Sequence, residues 1–351
     1  MNKIAGILLA LCLLAGRAAG QVTPQYLQMQ PLGEGTLARL DGEAWLLLPE
    51  GAPVPEEAGD ARVVRTPVRK LYLAASSAMD FMRELDALPA VRMTSTRRED
   101  WSLPEVRDAL DSGEMLYAGK YSAPDYEALL EEEITLAVES TMISHSPGTR
   151  EMLEGLGIPV MVERSSYESD PLGRMAWICL YGALMGKEAQ AQSFLEAQEH
   201  LLQGMRMPEE PVKVAFFYLS SSGHAVVHRS GDYVSRMVEM AGGTYFLEEE
   251  GAPGTATMNM EMERFYEAAV NADVLIYNST VEGDVDTLDS LLRRSPVLSE
   301  FTAVRQGRVY TCGHHLFQKT TAIARIVEEM NRVFRNEDGE LTLLRKLEAH
   351  P

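Results

Sequence analysis

Hydroxyls, phenols and cationic heads recur in this chain just after short apolar runs, the pattern of groups that grip a solute rather than transform it. In the first half they are Ser76, Ser77 and Met79, then Lys120 and Tyr121, then Ser140, Thr141 and Met142, then Arg164, Ser165 and Tyr167. In the second half they are Ser220, Ser221, Ser222, His224 and Arg229, then Asn278, Ser279 and Thr280, then His314, His315 and Phe317. Hydroxyls and an amide supply hydrogen bonds, aromatic rings supply flat apolar area, and Arg or Lys pairs with carboxylates or phosphates. Each type has a structural alternative. A Ser or Thr after a strand commonly caps the next helix, and Arg164 can pair with Glu163, Glu168 or another nearby acid. Lys120 and Tyr121 are costly to bury without purpose, which favours a ligand role.

Metal and catalytic signatures are sparser. His224 with His228, and His314 with His315, are the imidazole pairs, and a spacing of four along a strand puts the first pair on one face. No HExxH or CxxC pattern accompanies them, so they read as hydrogen-bonding residues, and no resident metal or cofactor is expected. Glu139 and His145 are the acid and imidazole close in sequence at an expected loop, the pair a chelatase-like enzyme would need. The 19 Met residues fall mostly at helical spacing, as Met237 and Met240 do, and read as core. A GxxxxGK motif followed by Ser or Thr is missing, so any ATPase is a separate protein.

The elements that must position these residues are strands and crossover helices. An amphipathic run from Asp125 to Leu130 leads into the strand 134–138, and the polar loop from Glu139 to Met142 follows its carboxyl end. Ser146 can cap a helix whose first turn holds Pro147 and whose end is Gly157, before the strand 158–162. Strand, crossover helix and strand make a parallel sheet, whose ligands sit beyond the strand carboxyl ends, so loops 139–146 and 163–169 are expected on one rim. Asp170 can cap and Pro171 open a helix whose apolar positions run from Leu172 to Leu201. Unbroken over 171–204, that helix is about 50 Å long; the alternative is two shorter helices breaking near Gly186 and Lys187. Residues 35–49 read as a hairpin around Asp41 and Gly42, followed by an acidic, Pro-rich connector to Ala61, a lid or edge rather than core. The first lobe proper starts at the strand 68–75, whose loop opens a helix at Asp80. A second lobe starts with the strand 212–218 and closes with a packing helix over 320–334 and a charged tail.

At 351 residues, with 46% hydrophobic and 24% charged, the chain can fold as two domains. A net charge of −20 argues against nucleic acid, whose phosphates select for basic patches. Lys3, the apolar run 4–15 and the small residues Ala18, Ala19 and Gly20 form a secretory signal over residues 1–20, too short to span a membrane. Of the cysteines, Cys179 and Cys312 follow that segment, one on a helix and one at a strand end, and no bridge is expected between them.

The stretch from Ala137 to Gly186 resembles the substrate-binding proteins of bacterial ABC importers for iron-siderophore complexes, haem and cobalamin. Asp232 to Gly243, Ala272 to Ile276 and Ala303 to Tyr310 carry the same likeness, which extends over nearly the whole mature chain. The resemblance implies an α/β fold of two Rossmann-like lobes with central parallel sheets, joined by one long α-helix, the class III periplasmic binding protein fold. The expected division is an N-terminal lobe over 21–170, a linking helix over 171–205 and a C-terminal lobe over 206–351. It implies a metal chelate held between the lobes, delivery to a membrane permease with its ATPase, and a monomer with no catalytic role. It also implies one acidic docking residue per lobe, for which Glu127 and Glu263 match by position, with Glu261 next to the latter. Many members carry a lipid on a Cys after a Leu-Ala-Gly motif. Here Leu14, Ala15 and Gly16 are followed by Arg17, so cleavage near Gly20 to an unanchored exported protein is expected. The rival functions are binding of a free oxyanion or metal ion, a chelatase-like enzyme, and a sensor for the same solute.

Overall fold

Asp41 and Gly42 both take left-handed backbone angles, with φ of 47° and 90°, and this two-residue turn joins strands β2 (Gly35–Leu40) and β3 (Glu43–Pro49). The structure is a computed structural model that describes residues 23–248, 257–279, 281–283, 285–313, 316 and 318–349. With β1 (Leu27–Leu32) and β4 (Arg62–Thr66) the hairpin makes a four-stranded sheet in the order β1-β2-β3-β4. Trp45, Leu46, Leu47 and Leu48 are buried on its two faces, and Ala52 and Ala58 of the connector join Leu46 and Leu48 in a small apolar cluster. The segment expected as a lid therefore builds core. The alternating burial was hidden because four consecutive apolar residues on a doubly covered strand show no period of two.

The chain divides into two compact units, one of residues 1–168 with 172–196 and the other of residues 169–171 with 197–351. Unit 1 continues through β5 (Leu71–Leu73), α1 (Met79–Glu84), β6 (Val91–Thr94), α2 (Pro104–Ser112), β7 (Leu116–Tyr117), β8 (Gly119–Lys120) and β9 (Ala123–Pro124). It then runs through α3 (Tyr126–Glu131), β10 (Leu136–Ser140), α4 (Pro147–Gly155) and β11 (Val160–Glu163). Strands pair in the order β11-β10-β5-β6-β7, all parallel. Leu71, Leu73, Leu136, Val138 and Met161 face one apolar cluster, while Tyr72, Ala137 and Val160 face the other, as a period-two strand covered on both sides must. Asp125 caps α3 by accepting from the Ala128 amide. The Ser146 side chain makes no such bond to α4, whose first turn holds Pro147 as expected.

The expected long helix is three pieces: α5 (Pro171–Met175), α6 (Ile178–Met185) and α7 (Glu188–Gln203). Gly186 closes α6 in the left-handed region at φ 65°, ψ 34°, and the Lys187 amide reaches back to the Gly182 carbonyl at 2.7 Å. A Cβ at Gly182 would lie 2.7 Å from the Ala191 Cβ, so the two glycines serve one purpose: they let α7 fold closely over the end of α6. The Lys187 ammonium then bonds the carbonyls of Leu85 and Asp86. The single rod is thus corrected to a broken one, and residues 172–196 pack into unit 1 instead of standing apart. The boundary between the units falls within α7, after Glu196.

Unit 2 contains β12 (Val212–Leu219), β13 (Ala225–His228), α8 (Tyr233–Met240), β14 (Gly243–Tyr245), β15 (Thr257–Met260), α9 (Met262–Ala269) and β16 (Val274–Asn278). It ends with α10 (Leu288–Arg294), α11 (Thr302–Arg305), β17 (Val309–Cys312), α12 (Ile323–Phe334) and β18 (Leu344–Lys346). The sheet order is β15-β13-β12-β16-β17-β18, with β14 beside the first half of β12. Strands β12, β14, β16 and β17 run parallel, whereas β13, β15 and β18 run against their neighbours. The expected parallel set is thus present in β14, β12, β16 and β17, and the antiparallel strands β13, β15 and β18 extend it to a mixed sheet. The charged tail supplies β18, held by Glu329 of α12, whose buried carboxylate accepts from the amides of Thr342, Leu343 and Leu344 and from the Thr342 hydroxyl.

Candidate functional site: the strand-end rims

Because all five strands of the unit 1 sheet are parallel, the residues after their carboxyl ends gather on one edge. Ser76 and Ser77 follow β5, Lys120 and Tyr121 follow β7, Thr141 and Met142 follow β10, and Arg164 and Tyr167 follow β11. Ser140 is the last residue of β10, so that strand runs two residues further than expected, and its side chain accepts from the Met142 amide to start the turn Thr141–His145. The Thr141 hydroxyl donates to the Tyr167 phenol at 3.0 Å, joining two rim segments that lie far apart in sequence. Met142 is 47% and Tyr167 44% exposed, so both leave apolar area uncovered at this edge. Lys120 is exposed on the β8–β9 hairpin with Tyr121 half-buried beside it.

Beneath this edge lies a buried polar support. Glu163, 1% exposed at the end of β11, accepts from the Ser165 amide at 2.8 Å and the Ser77 hydroxyl at 3.3 Å. Burial pushes its carboxyl above the usual range, against the Ser165 bonds and the nearby charge of Arg174. Arg174 donates to the Ser166 carbonyl at 3.3 Å. Glu168 accepts from the amides of Gln25 and Tyr26 and from the Trp177 indole, which ties the chain's first described residues to α6. These carboxylates fix the loops that carry Ser77 and Tyr167.

Three expectations need correction here. Met79 is fully buried in the core and offers nothing to the edge, since it opens α1 on the inward side. Arg164 reaches Asp41 of the β2–β3 turn at 2.8 Å, the ion-pair alternative with a partner distant in sequence. Glu139 is fully buried while His145 is exposed, and neither Glu139 oxygen makes a hydrogen bond of ordinary geometry, so the acid and imidazole form no pair. Two further rim residues escaped sequence reasoning. Arg97, just beyond β6, has its guanidinium held positive chiefly by the Tyr117 phenol, and Tyr117 is 42% exposed. The signal was faint: Val91 to Thr94 alternates apolar and polar residues over only four positions before Ser95, Thr96 and Arg97.

In unit 2 the turn between β12 and β13 carries Ser220, Ser221, Ser222 and His224. The Ser222 hydroxyl lies 3.0 Å from His224 Nδ1, and His224 Nε2 lies 3.0 Å from Glu261 Oε1. His228 is buried and binds Asp232 through Nδ1 at 2.8 Å, packed edge-on against Phe216. The two imidazoles have separate partners and do not converge on an ion. Among the described residues no three His, Cys, Asp or Glu side chains form a metal-binding group. Arg229 follows β13, which runs antiparallel to β12, so it lies away from the edge where β12, β16 and β17 end. Asn278 and Ser279 are buried at the end of β16, with the Ser279 hydroxyl 2.7 Å from that of Thr311. Thr280, His314, His315 and Phe317 lie outside the described residues. Cys179 and Cys312 are free thiols. Glu127 and Glu263 are exposed in the first turns of α3 and α9. Glu261 is engaged by His224.

The sequence profile of the periplasmic binding protein family matches residues 85–316. The chain belongs to that family. An uncharacterised lipoprotein of Methanocaldococcus jannaschii is 24% identical over 287 residues, which cover 77% of this chain and 66% of the relative. The chain therefore spans about two thirds of that relative's length. Among solved structures, the periplasmic haem-binding protein HutB of Vibrio cholerae is similar with a TM-score of 0.61 and 19% identity, over 74% of this chain and 98% of that one. An ABC-type Fe3+-hydroxamate transport system protein of Saccharomonospora viridis is similar with a TM-score of 0.57 and 19% identity, over 76% of this chain and 93% of that one. These likenesses establish the α/β binding-protein fold. Among the described residues no helix is long and apolar enough to cross a membrane.

Proposed function

We propose that this periplasmic binding protein is the exported capture component of an ABC importer for a metal chelate of the siderophore, haem or cobalamin type. The observation that carries this reading is the chemistry of the unit 1 edge. It presents Tyr117, Tyr167 and Met142 as exposed apolar area, hydroxyls at Thr141 and Ser76, and two cations, Arg97 and Lys120. A bulky solute with flat apolar parts and anionic oxygens fits that set, whereas a bare cation would need convergent acids. Delivery to a permease, with Glu127 and Glu263 as docking residues, rests on family membership. The protein itself has only to bind.

The test is native purification followed by absorbance and metal analysis, then a thermal-shift panel of haem, cobalamin and ferric hydroxamates beside tungstate and bare divalent cations. A solute that binds only the folded state raises the midpoint. One of the chelates should do so, and Arg97→Ala should weaken its binding roughly tenfold while leaving the midpoint of the free protein unchanged, since Arg97 is exposed. A shift with tungstate or a bare cation alone would replace this solute class with a free ion.

A further inference from the structure

Several buried polar groups of unit 1 make no hydrogen bond of ordinary geometry, where folded proteins usually satisfy such groups, and two of them lie together. Glu139 is fully buried near the end of β10, and the phenol of Tyr72 on β5, also fully buried, approaches its carboxyl. Tyr72 pairs in register with Ala137, so Tyr72 and Glu139 project from the same sheet face, the one covered by Leu129 of α3 and Leu153 of α4.

Among the described residues no positive charge acts on this point. On β11 the residue beside Glu139 is Val162. From β5 comes the Tyr72 phenol, and Tyr126 of α3 and Ser95 beyond β6 lie near that phenol. On α3, Glu127 and Glu131 are exposed. On α4, Glu151 is exposed, Arg150 is committed to Glu43 and Glu154, and the buried Thr149 hydroxyl donates to the Ser122 carbonyl. His145 of the rim turn is exposed. A carboxylate ionised here would be a buried charge with no counterion. Burial accordingly pushes the Glu139 carboxyl from 4.5 up to about 8, with Tyr72 opposing the rise. The next residue is Ser140, whose side chain starts the rim turn Thr141–His145.

We propose that Glu139 and Tyr72 form a proton-held latch beneath the unit 1 rim: with Glu139 protonated, the end of β10 and the turn after it lie closed on the sheet, and ionisation drives the carboxylate to water by opening that segment locally. The latch sets Thr141 and Met142 by pH, whichever solute they meet. The direction follows from linkage. The closed form holds the proton more tightly than the open one, so closure is fully favoured below the ordinary carboxylate value and weakens as pH rises to that of the buried group.

Hydrogen exchange of the full-length protein, followed in peptides covering residues 136–146 and corrected for intrinsic rates, tests this. The opening equilibrium should rise about tenfold per pH unit between about 5 and 8, then level off, while unit 2 peptides show no such rise. Glu139→Gln, of the same shape without the charge, should abolish the dependence. Tyr72→Phe removes the group that opposes the rise and should move the plateau to higher pH. A slope that persists unchanged in Glu139→Gln, or a plateau unmoved in Tyr72→Phe, would overturn the latch.

Discussion

Two buried glutamates of this chain behave oppositely, and the difference lies in their donors. Glu139 has a single phenol beside it, that of Tyr72, and no bond of ordinary geometry, whereas Glu329 has three amides and a hydroxyl. Burial raises the Glu329 pKa, but these bonds outweigh it and hold the carboxyl below its ordinary 4.5. Its stabilising contribution is therefore present above the ordinary carboxylate range and lost as pH falls through the folded-state value. Glu329→Gln should lower the thermal midpoint at pH 7, at a cost of about 1.5–3 kcal/mol, and the gap to the natural protein should narrow in a titration below pH 4. Equal destabilisation at every pH would show that shape, not charge, holds β18. Neither role was legible in the sequence. Glu139 sits in a polar-looking run, Glu-Ser-Thr, that reads as loop, and Glu329 directly follows Glu328 on a helix, where the two read as a solvated acidic pair. What decides each is the set of donors brought from residues far away in the chain. Residues after strands were easier: Ser77, Lys120, Thr141 and Tyr167 were found by a local rule, while Arg97 gave it only a faint signal.

The elements show where local rules stop. Strand, helix and strand around Gly157 appear within about two residues of where periodicity places them, although Ser146 makes no capping bond, because each depends on neighbours in sequence. The helix after Pro171 does not. Its apolar spacing runs through Gly186 without interruption, yet the chain turns there, since Gly182 lets Ala191 approach and Lys187 finds carbonyls on α1's far end. A tertiary contact overrides a helical pattern whose cost at glycine is already about 1 kcal/mol. Gly186→Ala forces a Cβ into left-handed backbone and should cost about 1–2 kcal/mol, lowering the unit 1 midpoint by a few degrees in calorimetry. A stabilised Gly186→Ala would mean that the helix prefers to continue and that the break is not intrinsic. The antiparallel extension of the unit 2 sheet was not anticipated: β13 returns against β12 after a turn of Ser and Gly, so the strand-end rule misplaced Arg229.

At the scale of the whole chain, the charge of −20 acts as a diffuse self-repulsion more than as a set of contacts. Exposed pairs such as Arg98 with Asp111 do little to offset it. Raising sodium chloride from about 10 to 150 mM shortens the Debye length from about 30 to 8 Å and should raise the thermal midpoint. A midpoint that falls with salt would mean that attractive pairs dominate. The family was legible through the resemblance of the stretches 137–186, 232–243, 272–276 and 303–310, and it implied the two α/β lobes, while the solute is set by loops whose geometry no local rule supplies. Because β18 borders β17 and its approach is pinned to α12 by Glu329, removing residues 342–346 would strip four donors from an interior carboxylate and bare the backbone of β17 at the same stroke, so the margin of the unit 2 sheet and the charge beneath it stand or fall together.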